Sequence, residues 1–386
     1  MKSYYSGKFL SIYYFMANGI KMIVRAGEVC YFQCVIKTSN NPDFCLVQRL
    51  FVYCMIITRT PYRISFFGGG TDYPTWFREH GGAVLATSIN KYCYISCRYL
   101  PPFFEHKHRI VYSVTENVRE ISEIKHPAVR AILGIEKPEQ GLEIHHDGDL
   151  PARSGLGSSS AFTVGLLHAL SALKGSYISK QELAARAIDI EQNVIGENVG
   201  SQDQISTAIG GFNHIEFFKD NHFQLSPTIG SGERIAELQS HLMLFFTGFS
   251  RIASEVAKSK IDNICNRTKE LTRMREMVDE GVAILRSGTT PITEFGKLLG
   301  DAWKHKRSLS DKVSNQEIDD IYASAMDAGA LGGKLLGAGG GGFLLLFATQ
   351  DKQAQIRERL KKLVHVPFQF DHSGSRVVLY QPDGLI

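Results

Sequence analysis

Residues Pro151 to Ala161 read PARSGLGSSSA, a run whose residue types suit the binding of a phosphate. Gly155 and Gly157 let the backbone turn tightly and approach a ligand closely. Ser158, Ser159 and Ser160 then open a helix, where free N–H groups and the helix dipole favour an anion. Their hydroxyls add donors and are hard oxygen ligands for Mg2+. The competing reading is a glycine-rich turn that only caps a helix. Two other phosphate loops are excluded. The chain contains no G-x-x-x-x-G-K-[ST]. A dinucleotide fingerprint needs a third glycine where Ser160 stands, and DLPARS separates the glycines from the preceding strand.

Three further segments carry chemistry. In RTPYRISFFGGGTDYP, Arg59 to Pro74, Arg63 is suited to neutralise phosphate charge and Asp72 to accept hydrogen bonds from sugar hydroxyls. The same segment also reads as a strand and a glycine turn with Asp72 as an Asx-turn residue. In GENVGSQDQISTAIGG, Gly196 to Gly211, Asp203 is suited to orient or deprotonate an attacking hydroxyl. Glu191, just before it, offers a carboxylate to Mg2+. Read alone, Asp203 is a helix cap and Glu191 a solvated charge. In GGKLLGAGGGGF, Gly332 to Phe343, Gly337 and Gly339 to Gly342 allow close backbone approach ahead of the strand FLLLF. Its apolar flanks argue against a flexible linker.

The elements that must position these residues alternate between strands and helices from Met55 onward. The run from Met55 reads as a strand, residues 83–99 as paired strands, 109–115 as a strand and 142–147 as a short strand into the phosphate-type loop. A helix is expected from Ser158 to about Leu173, ended by Gly175, and another from Ser179 to Ile195, opened by the capping-box pattern Ser-Lys-Gln-Glu. The polar, glycine-containing stretch 220–236 marks a boundary. Strands at 241–247 and 343–348 and a helix near 351–363 follow. Residues 1–54 show no sustained period, so we expect them to be an atypical extension, with Met55 as the functional start.

The length of 386 residues fits two domains, with 55–225 and 226–386 as the expected division. The chain is 44% hydrophobic and 21% charged, as in an ordinary globular protein. A net charge of +4, without basic clusters, argues against nucleic acid as a partner. No apolar run reaches about 18 residues, so no membrane span is expected. The seven cysteines are odd in number and irregular in spacing, which reads as free thiols in a reducing cytoplasm. His145 and His146 alternate in a strand, and a buried structural histidine is the expected role of one of them.

Together the four segments resemble the GHMP kinases. PARSGLGSSSA is similar to the phosphate loop of that family, TPYRISFFGGGTDYP to its substrate motif and KLLGAGGGGF to its C-terminal glycine motif, all in family order from Met55 to the C-terminus. FGGGTDYP, IVYSVTENVREISEIKHPAVR and TGFSRIASEVA most resemble the D-glycero-D-manno-heptose 7-phosphate kinases. Galactokinases carry Gly-Glu-His-Thr-Asp where this chain has Gly68 to Asp72, which argues against galactose. The resemblance implies an α+β fold of two domains, an N-terminal one like ribosomal protein S5 and a ferredoxin-like C-terminal one, with ATP and substrate between them. It implies that Asp203 and Arg63 are catalytic. It assigns ATP to Pro151, Ser154, Gly155, Leu156, Gly157, Ser158, Ser159 and Ser160, and Mg2+ to Ser159 and Glu191. It assigns the small-molecule sugar phosphate to Gly70, Thr71, Asp72, Gly339 and Gly340. A sugar 7-phosphate also needs a basic pocket, for which Arg251 is the first candidate and Lys91 a weaker one. Another sugar such as fucose, or a catalytically silent sugar-binding relative, are the alternatives.

Overall fold

The structure is a computed structural model that describes residues 54–152, 154–227, 230–248 and 267–381, and the backbone alone of five strands between Ser3 and Phe51. Those five, β1 (Ser3–Ser6), β2 (Phe9–Phe15), β3 (Lys21–Ala26), β4 (Tyr31–Thr38) and β5 (Asn41–Phe51), form an antiparallel meander that is a sheet of its own. The sequence of β2, FLSIYYF, is apolar at nearly every position, so no alternation marks it as a strand.

The main sheet is built on β6 (Met55–Phe67) and β7 (Gly82–Tyr99), which pair antiparallel along most of their length. The first residues of β6 alternate between half-buried and buried, while from Thr60 onward every residue is buried. This is the pattern of a strand that passes from a one-sided to a two-sided environment. Residues 82–99 are one strand of 18 residues, not the paired strands expected from the sequence. The interruption at Asn90 and Lys91 is absorbed by a register shift opposite Pro61 and Tyr62 instead of by a turn. Proline lacks the N–H needed to continue a regular ladder, so a bulge beside it is inexpensive. Residues 109–115 also differ from expectation. They form a hairpin of β8 (His108–Val111) and β9 (Thr115–Val118), closed by the Tyr112 N–H on the Val114 carbonyl.

β10 (Leu142–Gly148) runs antiparallel to β7 and parallel to β8, and leads to the helix α3 (Ser158–Leu173). In this count α1 is Pro74–His80 and α2 is Pro127–Glu136. α3 is buried on nearly all sides and starts directly after Gly157, whose φ of 74° is left-handed. Gly175, at φ 68°, follows its last turn as expected. Ser179 caps α4 (Lys180–Asp189) by accepting the Glu182 N–H. The expected continuation to Ile195 is instead a π turn, Ile190–Val194. Such turns are frequent at functional sites because they rotate side chains out of the helical series. α5 (Gln202–Ile209), β11 (Phe212–Phe217) and β12 (Phe223–Pro227) complete the first half.

The second half carries a four-stranded antiparallel sheet of β13 (Leu242–Phe246), β14 (Gly332–Leu335), β15 (Phe343–Phe347) and β16 (Val364–His365), in the order β14-β15-β13-β16. Helices α6 (Gly232–Ser240), α7 (Thr268–Arg286), α8 (Thr293–Ser308), α9 (Gln316–Asp327) and α10 (Gln350–Arg359) belong to this half. The chain then returns to the first sheet, where β17 (Phe370–Asp371) pairs with β7 and β18 (Arg376–Gln381) with β6. One hydrophobic core spans both halves, with Phe295 of α8 packed edge-on against Phe66 and Phe67 of β6 at ring separations of 5.4 and 5.0 Å. Cys54, Cys93 and Cys97 are buried and stand outside any disulfide among the described residues. Among the described residues no helix is long and apolar enough to cross a membrane.

Candidate active site

A cavity of about 440 Å3 opens where the end of β6, the start of α3, the segment before α5 and the glycine turn after β14 converge. Its floor is the phosphate-type loop. Gly155 and Gly157 have φ of 87° and 74°, so the loop takes a path closed to residues with a Cβ. Gly157 also approaches the centre closely, since a Cβ there would lie 3.1 Å from Arg63 Cγ and 3.5 Å from Asp203 Oδ2. The Arg63 N–H donates to the Leu156 carbonyl at 2.9 Å, which ties β6 to the loop.

Arg63 spans the cavity wall. Its Nε and Nη2 donate to Asp203 Oδ1 and Oδ2 at 2.7 and 2.8 Å, and Nη1 donates to the Gly155 carbonyl at 2.7 Å. This is a bidentate, charge-assisted pair, the strong form of the arginine–carboxylate contact. The Arg63 side chain is only 4% exposed, against 27% for Asp203, so the carboxylate is the member that faces the cavity. Asp203 lies in the first turn of α5 and beside the first turn of α3.

Asp72 is buried and held by backbone donors. The Gly70 N–H reaches Oδ1 at 2.9 Å and the Gln202 N–H reaches Oδ2 at 3.4 Å. Burial pushes its carboxyl up, and the charge of Asp203 adds to this, while those N–H groups oppose it. Gly200 presses on it so closely that a Cβ would fall 1.9 Å from Oδ2. Thr71 does not line the cavity. Its hydroxyl donates to the Gly68 and Ala83 carbonyls and accepts the Ala83 N–H, which clasps the FGGGTDYP turn onto β7.

Glu191, on the π turn, lies behind the loop. Ser160 Oγ and Gln204 Nε2 donate to its Oε2 at 2.9 and 2.5 Å. Its Oε1 is buried with no hydrogen-bond partner among the described residues. Burial pushes this carboxyl up to about 7, against the hydrogen bonds that lower it. An orphaned carboxylate oxygen beside serine hydroxyls is a hard-oxygen donor set, and it fits Mg2+. The structure brings Ser160, not the expected Ser159, to Glu191, while Ser158, Ser159 and Ser160 all line the cavity.

The remaining expected site residues are placed as follows. Gly70, Gly155 and Gly157 line the cavity. Pro151 is exposed at the loop entrance, Leu156 is in the core, and Ser154 is buried with Oγ unpartnered among the described residues. Gly339 and Gly340 turn away onto Val313, whose carbonyl accepts the Gly340 N–H at 2.9 Å. Of the glycine motif, Gly337 and Ala338 reach the cavity, and a Cβ on Gly337 would lie 2.3 Å from Gly155 Cα. Lys91 is half-buried on β7, and Arg251 lies outside the described residues. Ser65, Tyr73, Gln202, Lys306 and Lys334 also line the cavity, and sequence reasoning had assigned none of them a role. Lys334 stands inside the quoted glycine motif, so its charge beside an otherwise apolar, glycine-rich turn was the available signal.

The sequence profile of the GHMP kinases N terminal domain matches residues 114–211, and that of the GHMP kinases C terminal domain matches 285–366. D-glycero-α-D-manno-heptose 7-phosphate kinase of Campylobacter jejuni is 30% identical over 325 residues, covering 80% of this chain and 93% of that protein. The chain belongs to the GHMP kinases. As a GHMP kinase it is an ATP-dependent phosphotransferase with a hydroxyl acceptor, and within that family it groups with sugar kinases. The bifunctional fucokinase/GDP-fucose pyrophosphorylase of Arabidopsis thaliana is 25% identical over 78% of this chain, which covers 31% of that longer protein. In fold, this GHMP kinase is similar to a D-glycero-D-manno-heptose 1-phosphate kinase from Bacteroides thetaiotaomicron, with a TM-score of 0.68 and 22% identity over 83% of this chain and 98% of the other.

Proposed function

We propose that this kinase transfers the γ-phosphate of ATP to the anomeric hydroxyl of D-glycero-D-manno-heptose 7-phosphate. The observation that carries the chemistry is the Arg63–Asp203 pair facing the cavity beside the α3 N-terminus. In this reading the N–H groups of the Gly155–Ser160 loop receive the ATP phosphates, as helix N-termini do. Asp203 accepts a hydrogen bond from the attacking hydroxyl and orients its oxygen in line with the γ-phosphate. Arg63 holds Asp203 in place and adds positive charge near the transferred group. Asp72 binds sugar hydroxyls. Transfer of this kind depends on positioning and charge neutralisation, with no covalent enzyme intermediate.

Glu191, with the hydroxyl of Ser160 that already meets it, would hold Mg2+ in place of the expected pair with Ser159, and the ion would supply charge neutralisation to the phosphates. The choice of heptose 7-phosphate is supported by the 30% identity to the Campylobacter enzyme over 93% of its length. Fucose is the second reading, supported by the relative from Arabidopsis.

ADP release from ATP and Mg2+ should be measured with a panel of sugars and sugar phosphates, with 31P NMR of the product. A new anomeric phosphate on heptose 7-phosphate supports the proposal. Turnover only with fucose would replace the substrate, and no turnover on any member would favour a silent sugar-binding relative.

A further inference from the structure

Three consecutive residues at the start of α5 reach three different carboxylates of the site. The Gln202 N–H bonds Asp72 Oδ2 at 3.4 Å, and the Asp203 carboxylate takes the fork of Arg63. The Gln204 side chain donates from Nε2 to Glu191 Oε2 at 2.5 Å. The first two serve groups already placed at the cavity. The third acts behind the phosphate loop, on the carboxylate read above as the Mg2+ ligand.

Gln204 is fully buried, and among the described residues its Oε1 has no hydrogen-bond partner. A buried amide with an unpaired oxygen costs stability, and an apolar side chain of the same shape would avoid that cost. Its use here calls for a role that only the donor end can fill. The bond to Glu191 supplies one. Gln204 Nε2 and Ser160 Oγ both donate to Oε2, while Thr163, which also faces Glu191, spends its hydroxyl on the Ser159 carbonyl at 3.3 Å. A single hydroxyl contact leaves a carboxylate free to swing about it. Two donors on Oε2 fix its plane and leave Oε1 for an ion.

We propose that Gln204 is a positioning residue of the metal site, its amide holding Glu191 Oε2 so that Oε1 is presented to Mg2+. The inference rests on the reading of Glu191 as the Mg2+ ligand. Carboxylate ligands owe their orientation to such outer partners, whose loss weakens metal binding about 10–100-fold. Because Gln204 follows Asp203 directly in α5, the metal carboxylate and the carboxylate that orients the acceptor hydroxyl are tied to one turn of helix.

The test titrates Mn2+, as a stand-in for Mg2+, into the full chain holding a non-hydrolysable ATP analogue, read by electron paramagnetic resonance. The Mg2+ dependence of ADP release is measured beside it, in wild type, Gln204→Met and Glu191→Gln. Methionine keeps the length of glutamine and lacks the N–H. Gln204→Met should weaken Mn2+ binding on the order of 10–100-fold and raise the half-saturating Mg2+ concentration by a similar factor. Saturating Mg2+ should restore kcat, and the KM of the sugar should not change. A merely structural Gln204 would lower the melting temperature in chelator and leave the Mn2+ affinity as in wild type, which overturns the proposal. If Gln204→Met does not fold, Gln204→Asn, whose amide stops one methylene short, replaces it with the same expectation. Glu191→Gln separates the two readings. If it loses Mn2+ affinity and the Gln204 variant does not, the positioning role fails and the Mg2+ assignment stands. If Glu191→Gln keeps the wild-type affinity, the Mg2+ assignment fails and takes the positioning role with it.

Discussion

Arg63 and Asp203, 140 positions apart, meet through two hydrogen bonds of 2.7 and 2.8 Å that engage both carboxylate oxygens. Lysine cannot reproduce this planar fork. Arg63→Lys should therefore keep the charge and lose the geometry, lowering kcat about 100-fold or more with little change in the KM of ATP. Asp203→Asn keeps the shape and should lower kcat at least as far. Steady-state ADP release and thermal melts of both variants check this. Near-wild-type turnover in a folded Arg63→Lys would reduce the pair to a structural contact.

Gly337 and Gly155 pack backbone on backbone, and Gly337 has a φ of 70°. An alanine at 337 would be both strained and in collision, at 2.3 Å from Gly155 Cα. We expect Gly337→Ala to cost about 2–4 kcal/mol of stability and to raise the KM of ATP, because the loop must shift. Gly134, in the exposed face of α2, has nothing within 4 Å of its Cβ position. Gly134→Ala should stabilise by about 0.5–1 kcal/mol and leave kinetics unchanged. Denaturant melts of the two variants give the comparison, and equal effects would contradict it.

Glu143 on β10 is nearly buried. Burial raises its carboxyl, but hydrogen bonds with His145, Arg98 and Arg109 outweigh this and bring it from 4.5 to about 2. A depressed carboxyl contributes stability that is present above pH 4.5 and lost as the pH falls towards 2. Glu143→Gln should be less stable than wild type at pH 7, with the difference shrinking below pH 4. Urea unfolding at pH 7 and pH 3 measures it. A difference independent of pH would remove Glu143 from the acid limb.

Glu191 has the opposite sign. Burial raises it from 4.5 to about 7, with the charge of Glu197 adding to the effect. Its contribution to stability is present below pH 4.5 and lost as the pH rises through 7. In the absence of metal, Glu191→Gln should match wild type at pH 4, exceed it in stability at pH 8, and show little turnover at either. Calorimetric melts with chelator, paired with ADP release, test the trade. A variant that is less stable at pH 8 would make Glu191 a structural residue.

Much of the site was legible because its signals are local. Gly155 and Gly157 announce a left-handed turn, and the serines after them open a helix where expected. Ser179 caps its helix as its pattern suggested. The misreadings come from contacts between elements, which local sequence does not carry. The single strand β7 and the π turn carrying Glu191 result from how those segments fit their neighbours, β6 and α5 among them. Thr71 sits in a motif with Asp72, yet it faces β7 while Asp72 faces the cavity. Spacing alone does not say which of two adjacent side chains turns inward.

The sequence by itself determined the loops, the order of motifs and the family, because backbone freedom, helix starts and residue chemistry depend on neighbours a few positions away. The tertiary structure alone decided the pairing of Arg63 with Asp203, the contact of Gly337 with Gly155, the bond from Lys334 to the Phe66 carbonyl, and the return of β18 to β6. These join segments far apart in the chain. Their free energy comes from burial and pairing that exist only once both sheets and the core between them have formed.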